Sequence, residues 1–190
     1  MIAVLDYRLA PGARYPSQID DVWQAYFWLV NNCEDYLGFE PKNIIFGGDS
    51  AGGNLLLATT VMAIQRNFKR PDGLLLIYPA VCCSDQEFWP SLLLSLDDYI
   101  LPAQFLNLSV CSYAPKGMLY NREVQQCEYL SPAIYTKDEV LRQFPKTIFT
   151  VGSFDPFKDD IYRFMDRMLQ QGVHDVSIRE FRMLGHGFLS

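Results

Sequence analysis

The chain has 190 residues, 49% of them apolar and 14% aromatic, which suits one domain with a sizeable core. A net charge of −6 with no basic cluster argues against a nucleic-acid partner, and no apolar run reaches the ~18–20 residues that cross a membrane. No positively charged n-region precedes Ile2-Ala3-Val4-Leu5, so no secretory signal is expected. The cysteines (Cys33, Cys82, Cys83, Cys111, Cys127) are odd in number and lack metal-ligand spacing, which suits free buried thiols in a reducing, cytoplasmic setting. With two histidines, a histidine-rich metal site is not expected either.

In chain order, Ile2 to Leu5 reads as a short buried strand, broken by Asp6-Tyr7-Arg8-Leu9-Ala10-Pro11-Gly12. Ser17-Gln18-Ile19-Asp20 reads as a capping box. Behind it Ile19, Val22, Trp23, Tyr26, Phe27 and Val30 trace one helix face that ends near Gly38. That gives Asp20 and Asp21 a structural role. Pro41 to Phe46 is the second predicted strand.

Next comes Gly47-Gly48-Asp49-Ser50-Ala51-Gly52-Gly53-Asn54, with the Gly-x-Ser-x-Gly spacing of a sharp strand-to-helix turn carrying a serine at its apex. A Cβ at Gly48 or Gly52 is expected to collide with neighbouring backbone. The turn exposes the Ser50 hydroxyl and leaves N–H groups at the helix start, Ala51 among them, free to hold an oxyanion. A trypsin-like reading needs a histidine upstream of the serine, and none precedes Ser50.

A helix over 53–67 and a strand over 73–78 follow, the strand's Leu74-Leu75-Leu76-Ile77 reading as buried on both faces. The β-α-β-α-β rhythm predicts a parallel sheet flanked by helices. It breaks between about 81 and 145, a cap-like insertion with Trp89 to Leu96, a helix opened by Pro102, and no strand. Its leucines and aromatics either line an apolar pocket above Ser50 or only pack the insertion onto the body. A strand over 146–151 runs into Asp155-Pro156. A helix with Phe157, Ile161, Phe164, Met165, Met168 and Leu169 on one face then ends at Gly172, and a last strand over 176–181 delivers Gly185-His186-Gly187.

Chemistry in open α/β sheets gathers at the carboxyl ends of strands, and Ser50, Asp155 and His186 all stand there. They are 105 and 31 residues apart, in the order Ser, Asp, His of a hydrolase triad. His174 stands just past a helix end, where the dipole accounts for it. Asp159 and Asp160 sit in a first helical turn and read as capping or supporting groups.

Asp6-Tyr7-Arg8-Leu9-Ala10-Pro11, Gly48-Asp49-Ser50-Ala51-Gly52-Gly53-Asn54, Asp155-Pro156 with Asp159, and His186-Gly187-Phe188 together resemble the hormone-sensitive lipase family of serine esterases, over nearly the whole chain. The resemblance implies an α/β-hydrolase fold with Ser50 as nucleophile, His186 as base and acid, and Asp155 as orienting carboxylate. It also implies acylglycerols or other apolar esters as substrates, with no cofactor, and contact with lipid surfaces as one way of reaching them. The family's His-Gly-Gly-Gly loop has no counterpart in the chain. By resemblance, Met1 falls at the family's fourth strand, with three strands and that loop before it, and the final helix is absent too. The expectation is a partial catalytic domain over 1–190, with an open edge on the Ile44-Ile45-Phe46 strand and weakened turnover. Two alternatives stay open: an inactive or receptor-like member that binds a small apolar ligand, as in plant gibberellin receptors, and a relative that cleaves amides.

Overall fold

The computed structural model describes residues 1–83, 90–115 and 126–189. Helix α1 (Ser17–Leu37) buries Ile19, Val22, Tyr26 and Cys33 and stops at Gly38, whose φ of +77° needs a residue without Cβ strain. The expected capping box does not form. Pro16 is the N-cap, Asp20 N–H bonds to the Pro16 carbonyl at 3.0 Å, and no side chain caps the helix. Asp21 is held from outside the helix, by the Arg8 guanidinium at 2.7 Å and the Arg8 N–H at 3.0 Å.

Four strands form one parallel sheet in the order β1 (Ile45–Asp49), β2 (Gly73–Ile77), β3 (Lys146–Gly152), β4 (Val176–Phe181). Phe46 is in register with Leu74, Leu74 with Thr147, and Thr147 with Val176. β1 begins at Ile45, later than predicted, because Ile44 bonds Asp72 through both its N–H and its carbonyl (2.7 Å each) and so is withheld from the ladder. The sheet is less enclosed than the unbroken leucines imply: Leu74 and Leu76 are buried, but Leu75 is 40% exposed.

Ile2 to Leu5 is not a strand. A strand needs a ladder partner. Among the described residues β1 is the end of the sheet, with Ile45 63% exposed, and the N-terminal residues pair with no strand.

Helix α2 (Ser50–Gln65) packs on β1 and β2, and α1 packs on α2. Between β2 and β3 the described residues form α3 (Pro90–Leu94), α4 (Ala103–Tyr113), α5 (Pro132–Tyr135) and α6 (Asp138–Leu141), and no strand. The helix predicted behind Pro102 is α4; Trp89 lies outside the described residues. Helix α7 (Lys158–Gln170) packs on β3 and β4 through buried Ile161, Phe164 and Met168. The main core is the seam between α2, the sheet and α7, centred on Leu57, Val61, Leu76, Phe149 and Phe164. No two cysteines are bridged. Cys33 and Cys83 are buried as expected, whereas Cys82 and Cys127 are half-buried and Cys111 is exposed.

Candidate active site

Ser50 sits between the last residue of β1 and the body of α2 with φ +47°, a left-handed conformation that a serine adopts only where its surroundings impose it. Those surroundings are crowded. A Cβ at Gly48 would lie 2.8 Å from Leu56 Cδ1 and 3.2 Å from the Gly52 backbone, as expected. At Gly52 the expectation fails, since the nearest atom is the Tyr7 hydroxyl at 4.0 Å. The tight approach lies one residue on, at Gly53, where a Cβ would be 2.7 Å from that of Pro79. The segment after β2 therefore leans on the start of α2. Ala80 N–H bonds to the Ser50 carbonyl at 3.1 Å, and buried Asn54 donates to the Ala80 and Leu130 carbonyls at 2.7 and 3.2 Å.

The fold brings the three candidate residues together from the carboxyl ends of three strands. Ser50 Oγ is 2.9 Å from His186 Nε2, and His186 Nδ1 is 3.0 Å from Asp155 Oδ2. Asp155 is fully buried and His186 is 6% exposed. The other carboxylate oxygen of Asp155 accepts the Phe157 N–H at 2.8 Å, which fixes the plane of the group. An ionised carboxylate only accepts, so it favours the tautomer in which Nδ1–H donates to Asp155 and Nε2 faces Ser50 Oγ.

The two turns that carry Asp155 and His186 are joined to each other. Ser153 N–H bonds to the Phe181 carbonyl (2.9 Å), Phe154 N–H to the Leu184 carbonyl (3.0 Å), and Met183 N–H to Ser153 Oγ (2.9 Å). The imidazole stands between two aromatic walls that the sequence reading missed: Tyr78, with ring centroids 4.8 Å apart, and Phe157, edge-on at 5.0 Å. Tyr78 is buried with φ +37°, a strained residue at the end of β2. The one available signal was its place, a bulky side chain before a proline at the carboxyl end of a strand.

A cavity of about 440 Å³ opens over Ser50 and Ala51 and is walled by Leu101, Phe105, Leu106 and Tyr113. Its lining is mainly apolar. Tyr7 also faces it, its phenol pushed above the ordinary range by burial and by Asp49. Ala51 lies in the first turn of α2, where N–H groups have no acceptor within the helix.

The remaining candidates lie elsewhere. His174 is exposed on the turn before β4. Asp159 receives the Ser91 N–H at 2.8 Å, and so supports the segment between β2 and β3. Among the described residues no group of three or more His, Cys, Asp or Glu could hold a metal ion, and no helix is long and apolar enough to cross a membrane.

The family model described as alpha/beta hydrolase fold matches residues 1–190. Hormone-sensitive lipase from Bos taurus is 39% identical over 113 residues, which is 60% of this chain and 15% of that protein. Esterase LipI from Mycobacterium tuberculosis is 29% identical over 191 residues, all of this chain and 56% of that protein. The crystal structure of carboxyl esterase 2 from Tuber melanosporum superposes with a TM-score of 0.87 at 29% identity, over 97% of this chain and 58% of that one. The chain thus spans little more than half the length of these esterases and a smaller part of the lipase. The chain belongs to the α/β hydrolase family, and hormone-sensitive lipases and carboxylesterases are the relatives it resembles.

Proposed function

We propose that this chain carries the nucleophile, base and acid of a carboxylic ester hydrolase, acting on acylglycerols or other apolar acyl esters. The supporting observation is the unbroken line Ser50 Oγ, His186 Nε2, His186 Nδ1, Asp155 Oδ2, at 2.9 and 3.0 Å, beneath an apolar cavity. A serine hydroxyl is a poor nucleophile at neutral pH, so Nε2 of His186 takes its proton as Oγ attacks the ester carbonyl. Asp155 holds the imidazole in the tautomer that makes this possible and stabilises the imidazolium. The Ala51 N–H, at the positive end of α2, meets the oxyanion. His186 then protonates the leaving alcohol, and water repeats the sequence on the acyl-enzyme.

The segment 81–145 acts in this reading as a cap, its α4 side chains forming the acyl wall of the cavity. Substrate arrives as a small ester or from a lipid surface, in a cytoplasmic setting that suits unbridged thiols.

A panel of p-nitrophenyl esters, from acetate to dodecanoate, tests the reading together with labelling by a fluorophosphonate. The expected result is turnover and a single label on Ser50, both lost in Ser50→Ala. Appreciable hydrolysis by Ser50→Ala would overturn the assignment.

A further inference from the structure

Two serines of the segment between β2 and β3 grip the backbone on either side of Asp155. Ser91 Oγ donates to the Pro156 carbonyl at 3.0 Å, and Ser95 Oγ donates to the Phe154 carbonyl at 3.3 Å. These are the carbonyls immediately after and before the acid. Both serines are buried, at 8% exposure. Ser91 is used completely: its Oγ also accepts the Asp159 N–H at 3.2 Å, while its own N–H goes to Asp159 Oδ2 at 2.8 Å. Three bonds thus join the start of α3 to the turn that enters α7.

We infer that Ser91 and Ser95 are positioning residues for Asp155, with Asp159 as the anchor that holds Ser91 in place. This rests on the reading of Asp155 as the orienting carboxylate. A hydroxyl bonded to a main-chain carbonyl restrains that carbonyl's orientation, so neither carbonyl can rotate without breaking its bond. The carboxylate between them is then aimed at Nδ1 of His186 by backbone on both sides and by the Phe157 N–H from within. The same segment continues through Asp98, whose Oδ1 accepts the Ile100 and Leu101 N–H groups at 2.9 and 2.7 Å, to Leu101 and α4 in the cavity wall. One stretch of chain therefore both lines the cavity and bonds to the backbone on either side of Asp155.

The test uses the full chain with Ser91→Ala, Ser95→Ala, Asp159→Ala and Asp159→Asn. Turnover of p-nitrophenyl butyrate is measured beside the low-field proton resonance of an imidazole N–H bonded to carboxylate. Ser91→Ala is expected to lower kcat about tenfold or more with KM changed less than about twofold, because misplacement acts on the chemical step rather than on binding. It should also weaken the low-field resonance. Asp159→Ala should do the same, and Asp159→Asn, which keeps an oxygen acceptor for the Ser91 N–H, should recover most of the loss. Ser95→Ala removes one bond without touching the Ser91–Asp159 pair, and serves if Ser91→Ala does not fold; it should lower kcat by a smaller factor. Folded variants with unchanged kcat and an unchanged resonance would overturn the inference. If the wild-type chain hydrolyses no ester, the ester-hydrolase reading fails, while the resonance still decides whether Ser91 and Ser95 aim Asp155.

Discussion

Gly152, the last residue of β3, lies against Leu184 so closely that a Cβ on Gly152 would be 2.2 Å from the Leu184 carbonyl oxygen. It would also meet the Gly185 carbonyl at 2.9 Å, so every obstacle is backbone of the turn that carries His186. Gly152→Ala must push that turn away or break the Phe154–Leu184 bond beside it. The expected cost is about 2–3 kcal/mol of stability, as for overpacked cores, with a larger loss of turnover because His186 moves relative to Ser50. Gly47→Ala, where no atom lies within 4 Å, is the control. Urea midpoints and kcat for both variants decide it. An alanine at 152 with wild-type midpoint and turnover would show that the two turns are not in rigid contact.

What the sequence made legible follows from which interactions are local. Ser50, Asp155 and His186 could be read because each comes within a few residues of the end of a predicted strand, and parallel strands deliver their ends to one side of the sheet. The strands expected to start at 73, 146 and 176 do start there. Several of the failures involve a partner distant in sequence. Asp21 looks like part of a helix start until Arg8, 13 residues upstream, takes it. Ile44 reads as strand until Asp72 claims both its backbone groups. Gly52 and Gly53 are indistinguishable until Pro79 is seen against the second. Ile2 to Leu5 has the composition of a strand, and composition does not supply a neighbour. The aromatic walls of His186 were invisible because Tyr78 and Phe157 come from different loops.

Those walls carry a prediction. Tyr78 and Phe157 contact the imidazole from two directions and limit its rotation about the axis between Ser50 and Asp155. Phe157→Leu keeps most of the volume, and so should cost no more than about 1.5 kcal/mol in stability, but it removes the edge-on ring. A fall in kcat of several-fold, with little change in the denaturation midpoint, is expected. Tyr78→Phe retains the ring and should fall much less than Tyr78→Leu. Equal kcat in Tyr78→Phe and Tyr78→Leu would remove the positioning role.

At acid pH the Arg8–Asp21 pair gives a signed expectation. The Arg8 guanidinium bond, then the Arg8 N–H, hold the Asp21 carboxyl below its usual range. A depressed carboxylate binds its proton more weakly when folded, so its contribution is present at neutral pH and fades as pH falls below about 4. Arg8 is exposed and the half-buried Asp21 still reaches solvent, so screening keeps the effect small. Arg8→Ala should therefore be slightly less stable than wild type at pH 7, and the two curves should converge in acid. A gap that widened on acidification would contradict the assignment.

At alkaline pH Cys83 contributes a signed loss. Burial, the largest cause, pushes its thiol up to about 12. A raised value means the folded state keeps its proton after the unfolded chain has released it. Stability is thus complete below the ordinary thiol range of about 8.5 and declines as pH rises toward 12. Half-buried Tyr15 and Tyr113, also raised chiefly by burial, add losses of the same sign at higher pH. Cys83→Ala should flatten the first part of the decline. In native protein near pH 8, a thiol reagent should modify exposed Cys111 readily and leave Cys83 until the chain unfolds. Prompt labelling of Cys83 in the folded chain would refute its burial.

The cavity wall formed by α4 makes the last prediction. Phe105 and Leu108 line the cavity and are more than half exposed, so charge placed there disturbs the pocket more than the core. Each methylene buried on binding is worth about 0.8 kcal/mol, so kcat/KM should rise by up to about fourfold per added methylene until the cavity is full. Phe105→Asp or Leu108→Asp replaces part of that surface with a group that must stay hydrated. Hydrolysis of the acetate should change little in these variants, while the octanoate should lose most of its advantage. The slope of log kcat/KM against chain length separates the two roles open to the segment between β2 and β3. A flattened slope marks a wall that touches the acyl chain, whereas a uniform loss at every length, or no loss, leaves the segment as packing alone.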